Sequence, residues 1–379
     1  MCNKLAILFV AGVAALCAQD MPLDPYNSVK INLPADSPLT LISANLGESH
    51  ASARGSAVVL DLNMALTLRN SSQSRVRGVT LLVAAQEVTP GGKASVTVPS
   101  LDVAPGQNFP VRIDLRLLRP GQVGGGPLVQ VNLDGVLFQD LSFYGPNRLD
   151  SRRSMTAWEM EAQRDRKYFK AILATRGPEG LKQAMLESIA RQSERPSLDV
   201  QVSRGGRAVT SAAVPEHRAQ FAFLRFPDAP VEPVDGWAEI AGNEARNPRI
   251  DVRNRSSEQV LHVEIGWIVT DRQGTQYMAA SLPNAEPKLY LPPGSSGRVV
   301  QDTSLRFSKN RGEPVPIAGM TGFVSQVEFA DGKIWIPNRE ALAGAQLLGI
   351  LAASPEEERL TDLYRKKGPK ALVDELSKF

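Results

Sequence analysis

Two stretches of this sequence are nearly the same although they lie 184 positions apart: RNSSQSRVRGV at 69–79 and RNRSSEQVLHV at 253–263. In both, apolar residues recur at every second position before the asparagine and again after the serines, which is typical of strands with one buried face. The polar residues between them bond nearby backbone groups and therefore favour a turn. Each stretch thus predicts a strand, a turn and a second strand.

The similarity continues along the chain. Ala104-Pro105-Gly106 matches Pro292-Pro293-Gly294, and the segment that ends in Asp134-Gly135 matches the one that ends in Asp331-Gly332. Asp-Gly between alternating apolar residues predicts a tight hairpin in each copy. Many short strands separated by turn residues are typical of a β-sandwich.

Helical segments follow both sets of strands. Gly177-Pro178 recurs as Gly368-Pro369, and glycine followed by proline ends one helix and begins another. Residues 156–159 and 354–357 both fit the pattern of a capping box at a helix start. Residues 339–351 predict an additional helix in the second copy.

We therefore predict a mainly β protein with α-helices, built as a tandem duplication of an immunoglobulin-like β-sandwich followed by a helical hairpin. Residues 197–201 echo residues 28–32 and begin the second copy after a polar linker. The predicted boundaries are 1–18 for a signal peptide, 24–148 and 197–338 for the two sandwiches, and 149–192 and 339–379 for the helical segments.

The first 18 residues, MCNKLAILFVAGVAALCA, predict a cleaved secretory signal peptide, because one lysine precedes a short apolar run that ends in small residues. A lipoprotein signal that uses Cys17 is the alternative. The protein is expected to be secreted or periplasmic, without an integral membrane span in its mature form. Both cysteines, Cys2 and Cys17, lie in this leader, so the mature chain has no thiol chemistry.

Length and composition limit the other possibilities. With 379 residues, the chain exceeds the roughly 250–300 residues of a single core and predicts two domains. A net charge of +3 and 6% aromatic residues argue against a nucleic-acid partner, which needs a clustered basic face.

Residues 250–274 combine an alternating strand, Arg-Asn, a serine, Val-x-x-Val-x-Ile-x-Trp and Asp-Arg-Gln-Gly. This stretch resembles the bacterial immunoglobulin-like modules of the FxLYD kind. The first copy departs from that pattern, with Val83 in place of Trp267 and a different turn at 89–92. The resemblance implies an exported, non-catalytic module that binds or spaces other molecules.

No catalytic, metal or cofactor site is predicted. The chain has no Gly-x-Ser-x-Gly elbow, no His-Glu-x-x-His and no calcium loop. The glycine-rich stretch 121–126 lacks the residues of a phosphate loop and predicts a flexible connection. Glu356, Glu357 and Glu358 stand at a helix start, where they favour the positive end of the helix dipole.

Two kinds of residue are candidates for partner binding. Arg152, Arg153, Arg164 and Arg166 form a basic stretch that is either a solvated helix face or an electrostatic contact. Among four tryptophans, Trp267 and Trp335 predict core positions. Trp237 follows Pro-Val-Asp-Gly, and it is the tryptophan most expected to be exposed.

The function predicted from these features is that of an exported, non-catalytic interaction or scaffold protein of a bacterial envelope. It would bind an envelope protein or polysaccharide through loops or through a groove between the copies. Two alternatives stay open. One is a carbohydrate-binding protein, and the other is a hydrolase whose site between the domains uses serine, His217 or His262, and carboxylates.

Overall fold

The computed structural model describes residues 21–24, 27–86, 90–121, 126–204, 215–282, 289–300, 303–309 and 312–378. The predicted leader 1–18, with both cysteines, and most of the glycine-rich stretch 121–126 lie outside these residues. The protein is mainly β, with several sheets, one long helix in the middle of the chain and further helices after the last strand. It divides into two compact units, unit 1 up to Ser151 and unit 2 from Arg152 onward.

Unit 1 consists of two five-stranded sheets. Its strands are β1 (Met21–Pro22), β2 (Val29–Asn32), β3 (Leu39–Asn45), β4 (His50–Arg54), β5 (Ala57–Asn70), β6 (Val76–Ala84), β7 (Lys93–Val98), β8 (Asn108–Pro120), β9 (Val129–Phe138) and β10 (Phe143–Tyr144). Sheet I runs β1-β4-β5-β3 with β8 also paired to β5, and sheet II runs β10-β9-β6-β7 with β2 paired to β9.

One apolar core serves both sheets of unit 1. Alternate residues of β5, such as Leu66 and Leu68, meet alternate residues of β6, such as Val79 and Leu81. These side chains are almost completely buried. The two-residue period of the sequence therefore predicts which strand face is buried in this unit.

Unit 2 combines two sheets with a helical layer. Its elements are α1 (Ser151–Glu194), β11 (Asp199–Arg204), β12 (His217–Gln220), β13 (Ala222–Phe223), β14 (Val231–Ala241), β15 (Glu244–Asn254), β16 (Val260–Asp271), β17 (Gln276–Leu282), β18 (Ser296–Val300), β19 (Thr303–Ser308), β20 (Ile317–Phe329), β21 (Ile334–Trp335), α2 (Arg339–Gly344) and α3 (Pro355–Leu376). Sheet III runs β11-β19-β15-β14-β12 with β18 on β15, and sheet IV runs β13-β20-β16-β17 with β21 on β20.

Helices α1 and α3 are both bent where the sequence predicts it. Gly177 has φ 68° and ψ −170° inside α1, and Gly368 has φ 79° and ψ −177° inside α3. Positive φ suits glycine, and the following proline starts the next helical piece. The predicted break between two helices is thus confirmed as a kink in each helix.

The two kinked helices pack against each other through equivalent positions. Phe169, Leu181 and Met185 of α1 are fully buried in the same cluster as Leu360, Leu372 and Leu376 of α3, each 191 positions later in the sequence. The first helical segment therefore shares its core with the last one inside unit 2.

The repeated strand-turn-strand stretches have the same hydrogen bonds. The Asn70 amide donates to the carbonyls of Ser74 and Val103, at 2.9 and 3.0 Å, and its oxygen accepts from the Ser72 backbone and hydroxyl. The same set of bonds surrounds Asn254. Both asparagines are fully buried. In each unit the asparagine side chain therefore links the turn by hydrogen bonds to the loop that contains Val103 or Leu291.

The Asp-Gly hairpin predicted in the first copy is wrong. Asp134 and Gly135 lie inside β9, because the buried Asp134 carboxylate accepts hydrogen bonds from the Arg148 backbone and the Ser151 hydroxyl. The Phe143 ring also covers Gly135, where a Cβ atom would lie 2.2 Å from it. The turn comes instead at 139–142, and only Asp331-Gly332 forms the predicted hairpin.

Two other local predictions are corrected. Residues 197–201 do not correspond to residues 28–32. Strand β2 pairs in parallel with β9 in sheet II, whereas β11 pairs antiparallel with β19 in sheet III. The parallel partner of β20 is β13. Helix α1 begins at Ser151 rather than at the predicted capping box 156–159, because Asp134 binds the chain just before it.

The remaining helix predictions agree with the structure more closely. The Ser354 hydroxyl accepts from the Glu357 backbone amide at 3.0 Å and caps α3. The additional helix predicted at 339–351 is present as α2 and a 3-10 turn at Leu347–Gly349. Within the described ranges, no helix has the length and apolar character needed to cross a bilayer.

Candidate functional site

The outer face of sheet IV carries polar side chains in the middle of unit 2. Val263 and Val327 enter the apolar core, so their strand neighbours point to the opposite face. Cross-strand pairing places Glu264 beside Gln326 and His262 beside Glu328. Helix α1 lies over this face, where Arg153 forms an ion pair of 3.7 Å with Glu328.

Between this face and the helical layer lies a cavity of about 500 Å³. Its apolar wall includes Trp158, Met278, Phe323, Leu342 and Leu351. Its polar wall includes Ser154, Glu161, Arg164, Glu264, Ser325 and Gln326. Mostly apolar walls with a few convergent polar groups are typical of small-molecule sites.

Glu161 is the most perturbed carboxyl group of this cavity. Burial raises the pKa of Glu161 to about 7, the Arg164 charge opposes that rise, and the Asp165 and Glu264 charges add to it. Within the described part of the chain, its carboxyl group has no hydrogen-bonding partner. A carboxyl group that is half protonated at neutral pH is a recognised mark of binding and catalytic sites.

Gln326 contributes an unused hydrogen-bond donor. The side chain is 7% exposed, it lines the cavity, and its Nε2 atom has no partner. An unpaired buried donor destabilises a protein by about 1–3 kcal/mol. Gln326 thus places a buried polar side chain, with one unpaired donor, in the wall of the cavity.

Neither His262 nor Ser325 is arranged for nucleophilic chemistry. Burial and the nearby Arg153 lower the pKa of His262 to about 4, so the imidazole is neutral at physiological pH. Its Nε2 atom has no partner, and it does not line the cavity. The Ser325 hydroxyl donates to the Glu264 carbonyl at 3.1 Å.

A buried ion network fixes the helices beside the cavity. Arg339 donates to Asp165 at 2.6 Å and to Glu357 at 3.1 Å, and Ser354 donates to Asp165 at 2.6 Å. Burial alone would raise the pKa of Glu357, but the hydrogen bonds from Arg339 and Ser188 and the Arg191 charge lower it. Of the three predicted helix-start glutamates, Glu356 and Glu357 are therefore buried ion-pair partners, whereas Glu358 is exposed.

The four predicted basic residues are all engaged inside unit 2. Arg152 donates to the Gly332 carbonyl at 3.3 Å, and Arg164 donates to the Pro337 carbonyl at 3.1 Å. Arg153 pairs with Glu328. Arg166, only 5% exposed, pairs with Glu159 at 2.5 Å. This stretch is not a solvated helix face, and its contact with a partner stays a prediction.

The tryptophans have different surroundings. Trp267 is buried in the core as predicted. Trp335 is only partly buried beside the core, and its indole donates to Asp228. Trp237 is half-buried on sheet III, with the Arg218 guanidinium 3.7 Å from its ring centroid and that of Arg249 at 4.9 Å. Its role in binding stays a prediction, whereas Trp158 lines the cavity.

Sequence patterns alone did not identify Glu161, Glu264 and Gln326. A signal exists in β16, where His262 and Glu264 interrupt an otherwise apolar strand at alternate positions. Polar residues at that spacing mark a polar outer face, but the helix that covers this face is far away in sequence. Among the described residues, no group of three or more histidine, cysteine or acidic residues could hold a metal ion.

No known protein family matches this sequence, and no curated protein matches it. A transglutaminase from red sea bream is 9% identical with a TM-score of 0.12, and the match covers 76% of this chain and 31% of that one. A β-glucosidase from Kluyveromyces marxianus in complex with glucose is 10% identical with a TM-score of 0.16, over 74% and 45% of the two chains.

A protein called pT26-6p is 8% identical with a TM-score of 0.17, over 90% of this chain and 74% of that one. This chain spans less than half the length of the transglutaminase and of the β-glucosidase. TM-scores this low carry no argument about fold or activity. The functional argument therefore depends on the geometry of unit 2.

Proposed function

We propose that this is an exported, non-catalytic binding protein of a bacterial envelope, and that the cavity of unit 2 holds its ligand. One observation carries the proposal: a cavity of about 500 Å³ is lined by an apolar wall and by a polar wall that includes Glu161, Glu264 and Gln326. A cavity of this size is in the range of about 300–1,000 Å³ that small-molecule sites occupy.

Binding explains the cavity better than hydrolysis. A serine nucleophile needs a base within hydrogen-bonding distance, and the Ser325 hydroxyl is already bonded to a backbone carbonyl. Neither His217 nor His262, the two histidines that the hydrolase alternative offered, lines the cavity. These contacts support a site that holds a molecule without transforming it.

The tandem duplication and the immunoglobulin-like sandwich belong to the same proposal. The asparagine-centred bonds are the same in both units. Strands β6 and β16 also have register shifts at equivalent places, between Thr80 and Leu81 and between Glu264 and Ile265. Bulges at matching positions are features of related strands, so they support a common origin of the two units.

The ligand site can be tested with a variant that fills it. Ala353 lines the cavity from the half-buried loop before α3, so Ala353→Phe reduces the space without changing the core. We expect compounds of a small-molecule panel to raise the thermal unfolding midpoint of the wild type. The same compounds should leave A353F unaffected. Equal shifts in both proteins would contradict the proposal.

Export is tested separately. Mass spectrometry of the protein from the envelope fraction of its host should find a mature N-terminus at Gln19, directly after the predicted leader. Recovery of the intact N-terminus from the cytoplasm would refute the location. A lipid-modified Cys17 would support the lipoprotein alternative.

A further inference from the structure

We propose that unit 1 carries a ligand site of its own, which binds an N-acylated α-amino acid with an apolar side chain, the group that also ends a polypeptide chain. This inference goes beyond the proposed function and does not depend on the cavity of unit 2. The observation behind it is the juxtaposition of the Arg148 guanidinium with the side-chain amides of Asn32 and Asn132 around a cavity of about 280 Å³, called here the unit 1 cavity.

The unit 1 cavity lies on the face of sheet II that is opposite the core. Val131 and Leu133 of β9 belong to the core, so Asn132 between them points to the other face. Strands β2 and β6 pair with β9 on either side and place Asn32 and Leu82 directly beside Asn132. The apolar lining of the cavity includes Leu33, Pro34, Leu82 and Pro146.

The two asparagines keep hydrogen-bonding capacity at this place. The Asn32 amide donates to the Asn132 side-chain oxygen at 2.9 Å. Within the described part of the chain, the Asn32 oxygen and the Asn132 amide nitrogen have no partner. Both side chains are only half-buried, so these two groups are accessible. The pair therefore offers one acceptor and one donor side by side.

Arg148 supplies a charged donor to the same cavity. The residue is exposed, and its guanidinium has no hydrogen bond or ion pair with any described residue. Asp134 also lines the cavity, but its carboxylate is 1% exposed and accepts from the Arg148 and Leu149 backbone amides and the Ser151 hydroxyl. Guanidinium groups bind carboxylates with two parallel hydrogen bonds. The unpaired donors therefore favour a carboxylate ligand.

The loop that carries Arg148 has a fixed conformation. Asn147 and Asp150 have φ of 54° and 53°, a left-handed conformation that residues other than glycine seldom adopt. The Asn147 backbone amide donates to the Asp134 carbonyl, and the Asp150 backbone amide donates to the Asn147 carbonyl, both at 3.1 Å. Backbone strain of this kind clusters at binding sites. A loop that is already ordered also lowers the entropic cost of binding.

Another arginine of the chain shows which partners such a position can take. Arg339 lies 191 positions after Arg148 and, like it, two residues after a proline. It donates to the carboxylates of Asp165 and Glu357. A bound carboxylate would give Arg148 the kind of partner that Arg339 has within the fold.

An N-acylated α-amino acid matches these groups with a single residue. In an extended conformation, the N–H and C=O of one residue point to the same side. The N–H would donate to the Asn32 oxygen, and the carboxylate would accept from the Asn132 amide and from Arg148. The apolar side chain would cover Leu33 and Leu82. A volume of about 280 Å³ is just below the range of about 300–1,000 Å³ for drug-sized ligands, which suits one residue.

Matched probes test the inference on the whole protein by isothermal titration calorimetry. N-acetyl-leucine carries the acylated nitrogen, the carboxylate and an isobutyl body. N-acetyl-leucinamide replaces only the carboxylate by a neutral amide, and 4-methylpentanoate lacks only the acetylamino group. We expect N-acetyl-leucine to bind at least about tenfold more tightly than the amide, and several-fold more tightly than 4-methylpentanoate.

A fourth probe distinguishes the two sources of this group. The tripeptide acetyl-alanyl-alanyl-leucine ends in the same residue as N-acetyl-leucine. Tighter binding of the tripeptide would support the site and identify the end of a polypeptide as its ligand. Weaker binding of the tripeptide than of N-acetyl-leucine would support the site and identify the free N-acylated amino acid.

Variants test the roles of the residues. Arg148→Ala should weaken N-acetyl-leucine binding about tenfold or more, whereas Arg112→Ala, which removes an exposed cation from sheet I, should leave it unchanged. Asn132→Asp keeps the acceptor for Asn32 but replaces the free donor with a carboxylate, so it should abolish binding. Asn108→Asp adds the same charge at an exposed position of sheet I and should have no effect.

The outcomes separate this inference from the proposed function. Equal affinity for N-acetyl-leucine and its amide would overturn the carboxylate class, and absence of N-acetyl-leucine binding at millimolar concentration would overturn the site. Binding that is lost in A353F but unchanged in R148A would also overturn the site, because the molecule would then occupy the cavity of unit 2. Binding that is weakened in R148A and N132D and unchanged in A353F would support the inference.

Discussion

Strands β6 and β16 have the same place in units 1 and 2, yet their outer faces differ. Both strands carry register shifts at equivalent residues, and both send valine and leucine or isoleucine side chains into a core. Outside the core, Gly78 and Thr80 of β6 stand where β16 has His262 and Glu264. Under the common origin that we propose for the two units, the candidate site arose by a few substitutions on one sheet face.

The largest expected effect comes from one of two arginines that lie 191 positions apart and differ in their surroundings. Arg339 is buried between Asp165 and Glu357, whereas Arg148, 191 positions earlier, is exposed. Arg339→Ala should lower the free energy of unfolding by about 3–5 kcal/mol, because it leaves buried carboxylates without their cation. Urea titration measures the loss, and Arg148→Ala is the matched control with an effect near zero.

Substitution of Asn70 and of Asn254 should reduce stability by similar amounts, whereas the two arginine substitutions should differ. Asn70→Ala and Asn254→Ala each remove a buried side chain with four hydrogen bonds. Each should destabilise the protein by about 3 kcal/mol, since buried backbone partners are left unpaired. Ser257→Ala, in the exposed part of the second turn, is the control. A small loss of stability at only one asparagine would show that the two turns are not energetically equivalent.

Glu161 and His262 of unit 2 should make folding stability depend on pH in opposite directions. Glu161 has a pKa near 4.5 in the unfolded chain and about 7 in the folded protein. Its protonation therefore stabilises the fold fully below pH 4.5, and this contribution is lost as pH rises through about 7. The lowered pKa of His262 stabilises the fold above 6.5, and that contribution is lost as pH falls toward 4. The two effects oppose each other in the wild type.

Single variants should separate these contributions. Relative to wild type, Glu161→Gln should gain roughly 2 kcal/mol of stability as pH rises from 4.5 to 7. His262→Gln should gain a similar amount as pH falls from 6.5 to 4. Chemical denaturation at several pH values measures both slopes. Parallel slopes in the two variants would show that these groups are not the ones that titrate.

The smallest effect is expected from making unit 2 resemble unit 1 at one position. Glu264→Thr copies Thr80 of β6 and removes a negative charge that raises the pKa of Glu161. The pKa of Glu161, followed by carbon NMR of the carboxyl group, should fall slightly, and the unfolding free energy should hardly change. An unchanged pKa would indicate that the Glu264 charge does not perturb Glu161.

Local features of this chain could be predicted from sequence, and non-local ones could not. The glycine-proline kinks and the Ser354 cap depend on neighbouring residues, and the structure has them. The predicted turn at Asp134-Gly135 was wrong because the chain folds back after β9. The Phe143 ring then covers Gly135, and the Arg148 backbone amide donates to Asp134. The cavity could not be predicted, since α1 and β20 meet across more than a hundred residues of sequence.

The pairing of the two kinked helices also decides the order in which the protein can fold during synthesis. Helix α1 leaves the ribosome before all the strands of unit 2, but its apolar partners Leu360, Leu372 and Leu376 are made only after those strands. Bringing such distant segments together is slow because the long intervening loop must close first. The apolar residues of α1 that pack on α3 therefore stay without their partners until all the strands of unit 2 have been made, and exposed apolar surface of this kind favours aggregation or binding by a chaperone.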